Sequence, residues 1–328
     1  MYPVVSMETR PLDTTSPSEV ADVLALVRLV YGRDMSEAFY RWRFLASPFG
    51  APLVSLLWDG GTLAGHYAMS PTRSWCGALG GPVATAQSMT TMTHPDYRNR
   101  GVFTDLAADL YARAESRGVA MVWGMPNTQS HFGFREKLGW RDIGVMFTMA
   151  RAVTATDAAS VAPVLELLSG PPTEVGELFA RSDDGRVFLA AREHAYFQWR
   201  YLDHPTVTYR FATLPGGAGD VLAVIKSYEV TADVRSLEVV DCLYGRSPAR
   251  FGELMRALIA HASSTGHAFV RTWMGLADPA FGALEKLGFV PREPLAYAGG
   301  RELGTSRLPA TTWSHAGCYV TMGDSDNY

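Results

Sequence analysis

A short basic loop stands between a predicted strand and a predicted helix, and its residues are suited to holding an anion. Arg98 and Arg100 flank Asn99 and are followed by Gly101. The first N–H groups of a helix have no partner within the helix, and the helix dipole favours a negative charge there. A glycine lets a ligand approach the backbone closely. The spacing therefore predicts a phosphate or pyrophosphate site.

The elements around this loop follow from the pattern of side chains. Small and β-branched residues predict a strand over residues 83–93, which His94 and Pro95 end. Apolar residues recur at helical spacing from Phe103, and Gly118 marks the end of that helix. The loop matches neither of the two commonest glycine-rich phosphate motifs.

Strand, loop and helix together resemble the acyl-CoA segment of the GCN5-related N-acetyltransferase (GNAT) superfamily. The family pattern is Arg or Gln, two residues, Gly, one residue, then Gly or Ala; this chain follows it from Arg98 and departs at Phe103. The resemblance implies acetyl-CoA or another acyl-CoA as co-substrate, its pyrophosphate on the loop amides and its pantetheine arm on the strand. The implied cofactor-binding residues are Thr91, Met92, Thr93, Arg98, Asn99, Arg100, Gly101, Val102, Phe103, Asn127 and Ser130.

Asn127 follows a short apolar strand, and Ser130 can start the next helix. In the resembling family the two central strands separate at this point, and the thioester lies in the gap. Asn127 then hydrogen-bonds the cofactor or the acceptor, or it only shapes the turn and caps the helix. The residues favour both alternatives equally.

Composition limits the class of protein. The chain has 328 residues, an apolar fraction of 47% and a net charge of -4, so we expect a globular protein that does not bind nucleic acid. Three isolated cysteines, Cys76, Cys242 and Cys318, predict neither a metal site nor a disulfide framework. With no signal-peptide pattern over residues 1–13 and no apolar run of membrane length, we expect a cytoplasmic protein without a membrane partner.

The second half of the chain repeats the first. Residues 38–48 resemble 195–205, and residues 135–140 resemble 284–289, at nearly constant offset and in the same order. The predicted elements are two helices, a meander of strands, and then strand, helix, strand, helix, strand. Repeat and order predict an α/β class with a mixed, α+β-type sheet, built as two tandem GNAT-like acyl-CoA N-acyltransferase domains.

The copies differ at the basic loop. We expect an N-terminal GNAT domain over residues 1–151 that binds acyl-CoA, a linker over 152–173, and a degenerate C-terminal GNAT domain over 174–328. The offset aligns Gly101 with Ala249, and the second copy also lacks one arginine and the asparagine. Acyl-CoA should therefore bind the first copy only, and the second copy is structural or forms part of the acceptor pocket.

The resemblance implies direct attack of an amine on the thioester, after the amine has lost a proton to a base. His66 is one candidate base, since an imidazole titrates near neutrality; a hydrogen-bonded strand histidine is the favoured alternative. Asp241, a charge in an apolar strand of the second copy, is the other catalytic candidate, with a substrate ammonium as its partner. Arg135 replaces the tyrosine that is the acid in many family members, so no acid is assigned.

A repeated aromatic and basic pair is open to two interpretations. Trp42–Arg43 recurs as Trp199–Arg200. The pair could bind an anionic acceptor, such as a nucleotide phosphate, or pack the helix on the sheet with arginine reaching over the ring. Because both copies have it, a structural role is favoured.

The resulting hypothesis is an N-acyltransferase that moves an acyl group, in the first instance acetyl, to a primary amine of a small molecule. Residues 65–67 and 319–328 are similar to those of tandem acyltransferases for nucleotide-linked amino sugars, which makes such a sugar the candidate acceptor. A non-catalytic acyl-CoA sensor is one rival. A tRNA-dependent aminoacyl transferase is the other, and the net charge speaks against it. Acyl length and oligomeric state stay open.

Overall fold

Fourteen strands form one mixed sheet in the part of the chain that the computed structural model describes, residues 7–158, 162–216 and 219–325. The strands are β1 (Glu8–Pro11), β2 (Leu53–Asp59), β3 (Thr62–Cys76), β4 (Gly81–Thr93), β5 (Met121–Gly124), β6 (Arg141–Ala152), β7 (Glu166–Leu168), β8 (Val187–Phe188), β9 (Arg210–Thr213), β10 (Leu222–Thr231), β11 (Val234–Leu243), β12 (Phe269–Trp273), β13 (Val290–Glu302) and β14 (Cys318–Tyr319). Twelve lie in the order β1-β2-β3-β4-β5-β13-β6-β12-β11-β10-β9-β7, and β8 pairs with β14 and β3. The predicted mixed α/β class is confirmed.

The helices pack on this sheet. They are α1 (Pro17–Tyr31), α2 (Glu37–Tyr40), α3 (Val102–Ser116), α4 (Ala155–Ala158), α5 (Val175–Ser182), α6 (His194–Phe197), α7 (Pro248–Ser264) and α8 (Phe281–Lys286). α2 and α6 continue into π-helical turns, at Arg41–Leu45 and Gln198–Leu202, and a third such turn spans Gly133–Lys137. Within the described ranges, no helix has both the length and the apolar character needed to cross a membrane.

Alternate side chains of β2 face opposite sides of the sheet, as the two-residue period of a strand requires. Leu53 and Leu57 belong to a core with α3, whereas Val54 and Leu56 belong to a core with α1 and α2. The helix predicted after the basic loop is α3, and it covers the face of the sheet opposite to α1 and α2. The sheet thus fixes the start of α3 relative to the end of β4.

The start of α1 is predicted in part. Ser16 before Pro17 predicts a helix cap, and this is confirmed, since the Ser16 hydroxyl accepts a hydrogen bond from the Glu19 N–H at 3.3 Å. Glu19, three residues after Ser16, also predicts a capping box, in which its carboxylate would accept from the Ser16 N–H, and this prediction is wrong. That carboxylate accepts instead from the Asp13 N–H at 2.9 Å and pairs with Arg10 at 2.6 Å. A cation within reach competes for the carboxylate with the backbone donor.

The sequence also predicts that Pro71 breaks a strand, and this is wrong. β3 runs through the proline, which lies opposite Ala86 of β4. β2 pairs with β3 only as far as Met69. A residue without an N–H therefore removes no hydrogen bond to β2.

Both halves contain the same run of elements, and they exchange their last strands. β3, β4, α3, β5 and β6 correspond in order to β10, β11, α7, β12 and β13. β4 and β5 are parallel neighbours, as are β11 and β12. β13, however, inserts between β5 and β6, while β6 pairs with β12. The repeat predicts the two runs but not the exchange, because either last strand can pair antiparallel with either preceding strand.

The predicted linker, residues 152–173, contains α4 and β7, and β7 extends the sheet by pairing with β9. Arg151 at the end of β6 holds α4 through a bidentate ion pair with Asp157, with 2.7 Å between Nη2 and Oδ1. The domain bounds on either side, 1–151 and 174–328, stay a prediction.

A reciprocal pair of tryptophans joins the halves. The Trp42 indole donates to the Trp199 carbonyl oxygen at 2.7 Å, and the Trp199 indole donates to the Trp42 carbonyl oxygen at 3.1 Å. The Arg43 guanidinium lies 5.7 and 5.5 Å from these two rings, and Arg200 lies 5.9 Å from the Trp42 ring. Both arginines are only 2% exposed, so they do not reach over the rings to solvent as the sequence suggests. They belong to an interface between the halves.

A buried ion-pair cluster holds the C-terminal segment, residues 318–325. Arg192 is fully buried; its Nε lies 2.9 Å from Asp241, and its two terminal nitrogens bind both oxygens of Asp324 at 2.7 and 2.8 Å. Arg192 also donates to Thr321 at 2.8 Å. One cation thus ties β11 to residues near the end of the chain.

We expect Arg192→Met to lower the free energy of unfolding by about 3–5 kcal/mol, because it leaves two buried carboxylates without their cation. Urea denaturation at pH 7 measures the change. Arg73→Met is the matched control, since Arg73 pairs with Glu193 at the half-exposed surface and should lose about 1 kcal/mol or less. Equal losses in the two variants would contradict a structural role for the cluster.

Candidate active site

The basic loop lies directly before α3, as predicted. Asn99 and Gly101 have left-handed backbone angles, φ +62° and +84°, and turn the chain from β4 into α3. α3 starts without a side-chain cap. Arg98 and Arg100 are exposed beside this start, and the Arg100 guanidinium lies 5.1 Å from the ring of Tyr97. An uncapped helix start next to two cations is suited to a pyrophosphate.

β4 contains a bulge at Thr90, beyond which it pairs again with β3 at Met92 and Thr93. Thr90 has φ +42°, which is unusual for a threonine, and the pairing with β3 shifts register between His66 and Ala68. His66 Nδ1 lies 2.9 Å from the Thr90 carbonyl oxygen, and the Tyr31 hydroxyl donates to the Thr91 carbonyl oxygen at 3.2 Å. These side chains hold the bulge in place.

A gap opens where β4 and β5 separate. Their last pair is Gln87 with Trp123, and the gap beyond it is a cavity of about 370 Å³. Thr91 lines it from β4, and Asn127 and Ser130 line it from the turn after β5. The bulge and the basic loop thus lie between the gap and the uncapped start of α3. This is the order that the resemblance implies.

Asn127 combines the two alternatives of the sequence analysis. Its Oδ1 accepts hydrogen bonds from the N–H groups of Gln129 and Ser130, both at 3.0 Å, so it shapes the turn. It also lines the cavity. Its amide NH₂ group is the part that the turn leaves for a ligand.

Two of the predicted cofactor residues are buried. Met92 and Val102 are 1% and 2% exposed, on opposite faces of the sheet, so only their backbone groups can meet a ligand. Thr93 ends β4 opposite Gly65 and is half-buried.

Phe103 departs from the family pattern, and its ring packs beside the gap. Its centroid lies 5.3 Å from that of Phe134, which lines the cavity, and 6.5 Å from that of Tyr67. The side chain therefore turns toward the protein from the first turn of α3.

A second cavity, of about 460 Å³, lies between the halves. Arg33, Met35 and Thr90 line this cavity as well as the gap, so the two are neighbours at the bulge. The C-terminal half contributes His204 and Lys226, among others, to its wall. The arrangement offers one compartment for an acyl-CoA arm and an adjoining one for an acceptor.

His66 does not line either cavity. It is fully buried, with Nε2 3.2 Å from the Tyr40 hydroxyl and Nδ1 on the Thr90 carbonyl oxygen. Burial lowers the pKa of His66 to about 4. Both ring nitrogens are engaged, which is the hydrogen-bonded strand histidine that the sequence analysis favours over a base.

Asp241 belongs to the buried cluster around Arg192. Its partners are Arg192 and the Tyr201 hydroxyl, at 2.9 and 2.8 Å. Burial and the neighbouring Asp324 carboxylate raise the pKa of Asp241, against the lowering by Arg192. The sequence analysis pairs the Asp241 carboxylate with a substrate ammonium. In the structure this carboxylate is paired with the Arg192 guanidinium instead.

Arg135, which replaces the family's tyrosine, is exposed and lies 3.7 Å from Asp142. His131 Nε2 contacts the same carboxylate at 2.6 Å. The described residues contain no group of three or more His, Cys, Asp and Glu side chains that could hold a metal ion.

The equivalent gap in the second half is filled by the chain itself. β11 and β12 pair as far as Val239 with Thr272, and the C-terminal segment lies beyond this pair. Tyr319 donates to the Cys242 carbonyl oxygen, and the space that remains is only about 10 Å³. There is no room here for an acyl chain.

The start of α7 is also closed. The Ser247 hydroxyl accepts the Arg250 N–H at 3.4 Å, and Pro248 has no N–H to offer. A side-chain oxygen thus takes the position that an anion could take at α3.

Sequence reasoning missed four residues around the cavities, Tyr31, Arg33, His204 and Lys226. Lys226 carried a usable signal, because it is one of three lysines in the chain and follows an apolar run in β10. Tyr31, Arg33 and His204 lie in turns or at helix ends, where no periodicity distinguishes them.

We expect the stability of the protein to fall between pH 6.5 and pH 4 because of His66. The unfolded chain binds this proton with a pKa of about 6.5 and the folded chain only at about 4, so protons favour unfolding. His66→Gln should reduce this fall by about 3 kcal/mol in urea denaturation. His194→Gln, at an exposed histidine, is the control. An unchanged pH dependence in His66→Gln would contradict a neutral, buried imidazole.

The comparisons with known proteins agree with this geometry. Residues 11–143 match the model of a family described as acetyltransferase (GNAT) domain. A comparison with curated proteins found no match. The matched residues include the basic loop, the bulge and the gap.

Solved structures share the fold over most of the chain. A probable N-acyltransferase from Enterococcus faecalis V583 has a TM-score of 0.67 and 12% identity, covering 91% of this chain and 72% of its own. A GCN5-related N-acetyltransferase from Anabaena variabilis has a TM-score of 0.66 and 15% identity, covering 90% and 72%. N-myristoyltransferase from Saccharomyces cerevisiae, with bound myristoyl-CoA, has a TM-score of 0.62 and 13% identity, covering 96% and 89%.

Identities this low show likeness of fold, and the family model carries the assignment. The matched domain contains the uncapped helix start and the strand gap that an acyl-CoA requires. Residues 11–143, less than half of the chain, match an acetyltransferase (GNAT) domain, and this match supports an acyl-CoA-dependent N-acyltransferase.

Proposed function

We propose that the protein transfers an acetyl group from acetyl-CoA to a primary amine of a small molecule, in the gap between β4 and β5. The observation that supports this proposal is that three features follow one another along one path. They are the uncapped start of α3, the bulge at Thr90, and the gap that adjoins the second cavity.

Acyl-CoA binds along this path. The N–H groups of residues 99–103 hold the pyrophosphate, with Arg98 and Arg100 beside them. The backbone of Thr91, Met92 and Thr93 pairs with the pantetheine arm along the edge of β4 that faces the gap, since the pairing of β4 with β5 ends at Gln87. Asn127 and Ser130 border the thioester from the opposite side of the gap.

The amine attacks from the second cavity. Its nitrogen forms a bond to the acyl carbon, the carbon–sulfur bond breaks, and the CoA sulfur leaves as a thiolate that ends as a thiol with the proton lost by the amine. An N–H near the bulge polarises the thioester carbonyl. His66 and Asp241 take no part in the transfer; His66 positions the bulge.

The N-terminal domain, residues 1–151, is the one that binds the cofactor. The C-terminal domain, residues 174–328, is a degenerate copy of the same fold, joined through 152–173, and supplies one wall of the acceptor cavity. Its own gap holds the C-terminal segment and its own helix start is capped, which supports a single site in the chain. A nucleotide-linked amino sugar is the candidate acceptor, since it carries an amine and the adjoining cavity, of about 460 Å³, has an aromatic wall.

We expect Gly101→Asp to weaken acetyl-CoA binding at least tenfold, because a carboxylate would repel the pyrophosphate and a side chain would strain the backbone at φ +84°. Isothermal titration calorimetry measures the affinity. Gly118→Asp is the matched control: it makes the same change at φ +74° at the other end of α3, with open space around it. Equal affinity in both variants, or no binding to the wild type, would overturn the cofactor site.

Transfer itself is tested by release of free CoA thiol when acetyl-CoA meets a panel of small primary amines. We expect amine-dependent thiol release by the wild type and none above background by Gly101→Asp. Tight binding of acetyl-CoA with no release across neutral, anionic and cationic amines would favour a sensor.

A further inference from the structure

Four buried side chains form a hydrogen-bonded chain that ends at the gap between β4 and β5. The Trp140 indole donates to the Tyr111 hydroxyl at 2.9 Å. The Tyr111 hydroxyl lies 3.1 Å from that of Tyr67, which in turn lies 2.7 Å from that of Ser88. None of the four side chains is more than 8% exposed. Ser88 and Trp140 line the gap, whereas the two tyrosines do not.

The indole fixes the direction of the hydrogens in this chain, because it is only a donor and each hydroxyl has a single hydrogen. Tyr111 accepts from Trp140, so its own hydrogen points to Tyr67, and the Tyr67 hydrogen points to Ser88. In the opposite direction the buried Tyr111 hydrogen would have no acceptor among the described residues, which is costly. Within the same residues, Tyr67 is the one hydrogen-bonding partner of the Ser88 hydroxyl. The Ser88 hydrogen is therefore left for a ligand in the gap.

Burial keeps both tyrosines protonated. It raises the pKa of Tyr111 to about 12 and the pKa of Tyr67 well above its ordinary value. Both phenols are therefore neutral hydrogen-bond donors near neutral pH, and neither acts as a base. The far end of the chain is the indole N–H of Trp140, which does not give up its proton. The chain thus orients a hydrogen at Ser88 and does not conduct protons through the protein.

The position of Ser88 along β4 is beside the reacting end of a bound acyl-CoA. β4 and β5 pair as far as Gln87 and Trp123, and Ser88 is the next residue of β4, where the gap begins. In the proposed binding mode the pyrophosphate lies at the start of α3, and the pantetheine arm follows residues 91–93. The thioester at the end of this arm then lies toward the closed end of the gap, where Ser88 is.

We infer that the Ser88 hydroxyl donates a hydrogen bond to the CoA sulfur as the carbon–sulfur bond breaks, and that Tyr67 positions this hydroxyl. The electron pair of the broken bond passes to the sulfur, and the hydrogen bond stabilises the thiolate. Ser88 keeps its own proton, and the sulfur ends as a thiol with the proton lost by the amine. The inference rests on the proposed function. It supplies the leaving group with a donor in a site where position 135 carries an exposed arginine in place of the family's tyrosine.

The first test needs bound CoA and no acceptor. A hydrogen bond to the thiolate lowers the pKa of the CoA thiol, and the ultraviolet absorbance of the thiolate during a pH titration of the complex measures this pKa. We expect Ser88→Ala to raise the pKa of the bound thiol by about one unit or more. Ser88→Thr keeps the hydroxyl and should leave the pKa of the thiol unchanged. Protein without CoA gives the baseline for the cysteines of the chain.

The second test is the single-turnover rate constant of CoA thiol release, with an amine that the wild type acetylates. We expect Ser88→Ala to lower this rate constant about tenfold or more, with the affinity for acetyl-CoA unchanged, and Ser88→Thr to recover it. Ser74→Ala is the matched control, because it removes a buried hydroxyl of β3 that lines neither cavity. It should leave the rate constant unchanged.

Tyr67→Phe distinguishes a positioning role from a structural one. It removes the hydroxyl that orients Ser88, so we expect the rate constant of the otherwise wild-type protein to fall roughly two- to tenfold. In Ser88→Ala the same change should cause no further fall, since no hydroxyl is left to orient. Equal losses in the two backgrounds would contradict the positioning role of Tyr67.

The outcomes keep this inference apart from the proposed function. An unchanged thiol pKa or an unchanged rate constant in Ser88→Ala overturns the role of Ser88, while thiol release by the wild type still upholds transfer. A raised thiol pKa in Ser88→Ala, with no thiol release by the wild type from any amine, upholds the donor and overturns transfer.

Discussion

Two parallel strands that separate create a space between them, and the rest of this structure is arranged around the two places where that happens. Past the last pair of each set, backbone donors and acceptors face a gap in place of a neighbouring strand, and a buried polar group without a partner is costly. In the first half the space is open and adjoins a second cavity. In the second half residues 318–325 occupy it. One geometry thus has two solutions, a binding site and a packed core.

The packed solution depends on charge. Residues 318–325 include Asp324, whose buried negative charge the segment cannot compensate by itself. Arg192 compensates this charge together with that of Asp241. Gly323 has no side chain where a Cβ would lie 2.1 Å from the Tyr201 hydroxyl, so the segment can approach the core closely. The same segment accepts hydrogen bonds from Arg200, a residue of the cavity wall. Closing one gap therefore shapes the compartment beside the other.

Local patterns in the sequence predicted much of this. The strand, the glycine and the helix period around residues 83–118 determine β4, the loop and α3, because they are set by neighbours in the chain. The repeat predicted two runs of the same elements. The asymmetry at Gly101 and Ala249 indicated which half keeps an open helix start, and Ser247 supplies the physical reason.

The sequence did not predict which residues far apart in the chain contact one another. His66 is a possible base by its type and position, but Tyr40 and Thr90 take both its nitrogens. Asp241 needs a cation, and nothing in the sequence distinguishes Arg192 from a substrate as that cation. The sequence does not predict the exchange of β6 and β13 either, since both strands suit either position.

The strand exchange has a consequence for the order in which the molecule is completed during synthesis. β5 borders the acyl gap, and on its far side it pairs with β13, where Gly124 meets Gly299. About 175 residues separate these partners, which the ribosome adds in roughly 9 to 35 s at typical rates. Until then the nascent N-terminal half exposes a strand edge beside its binding site, a feature prone to pairing with other chains. The strand that borders the acyl gap therefore gains its outer neighbour only after β13 has been synthesised.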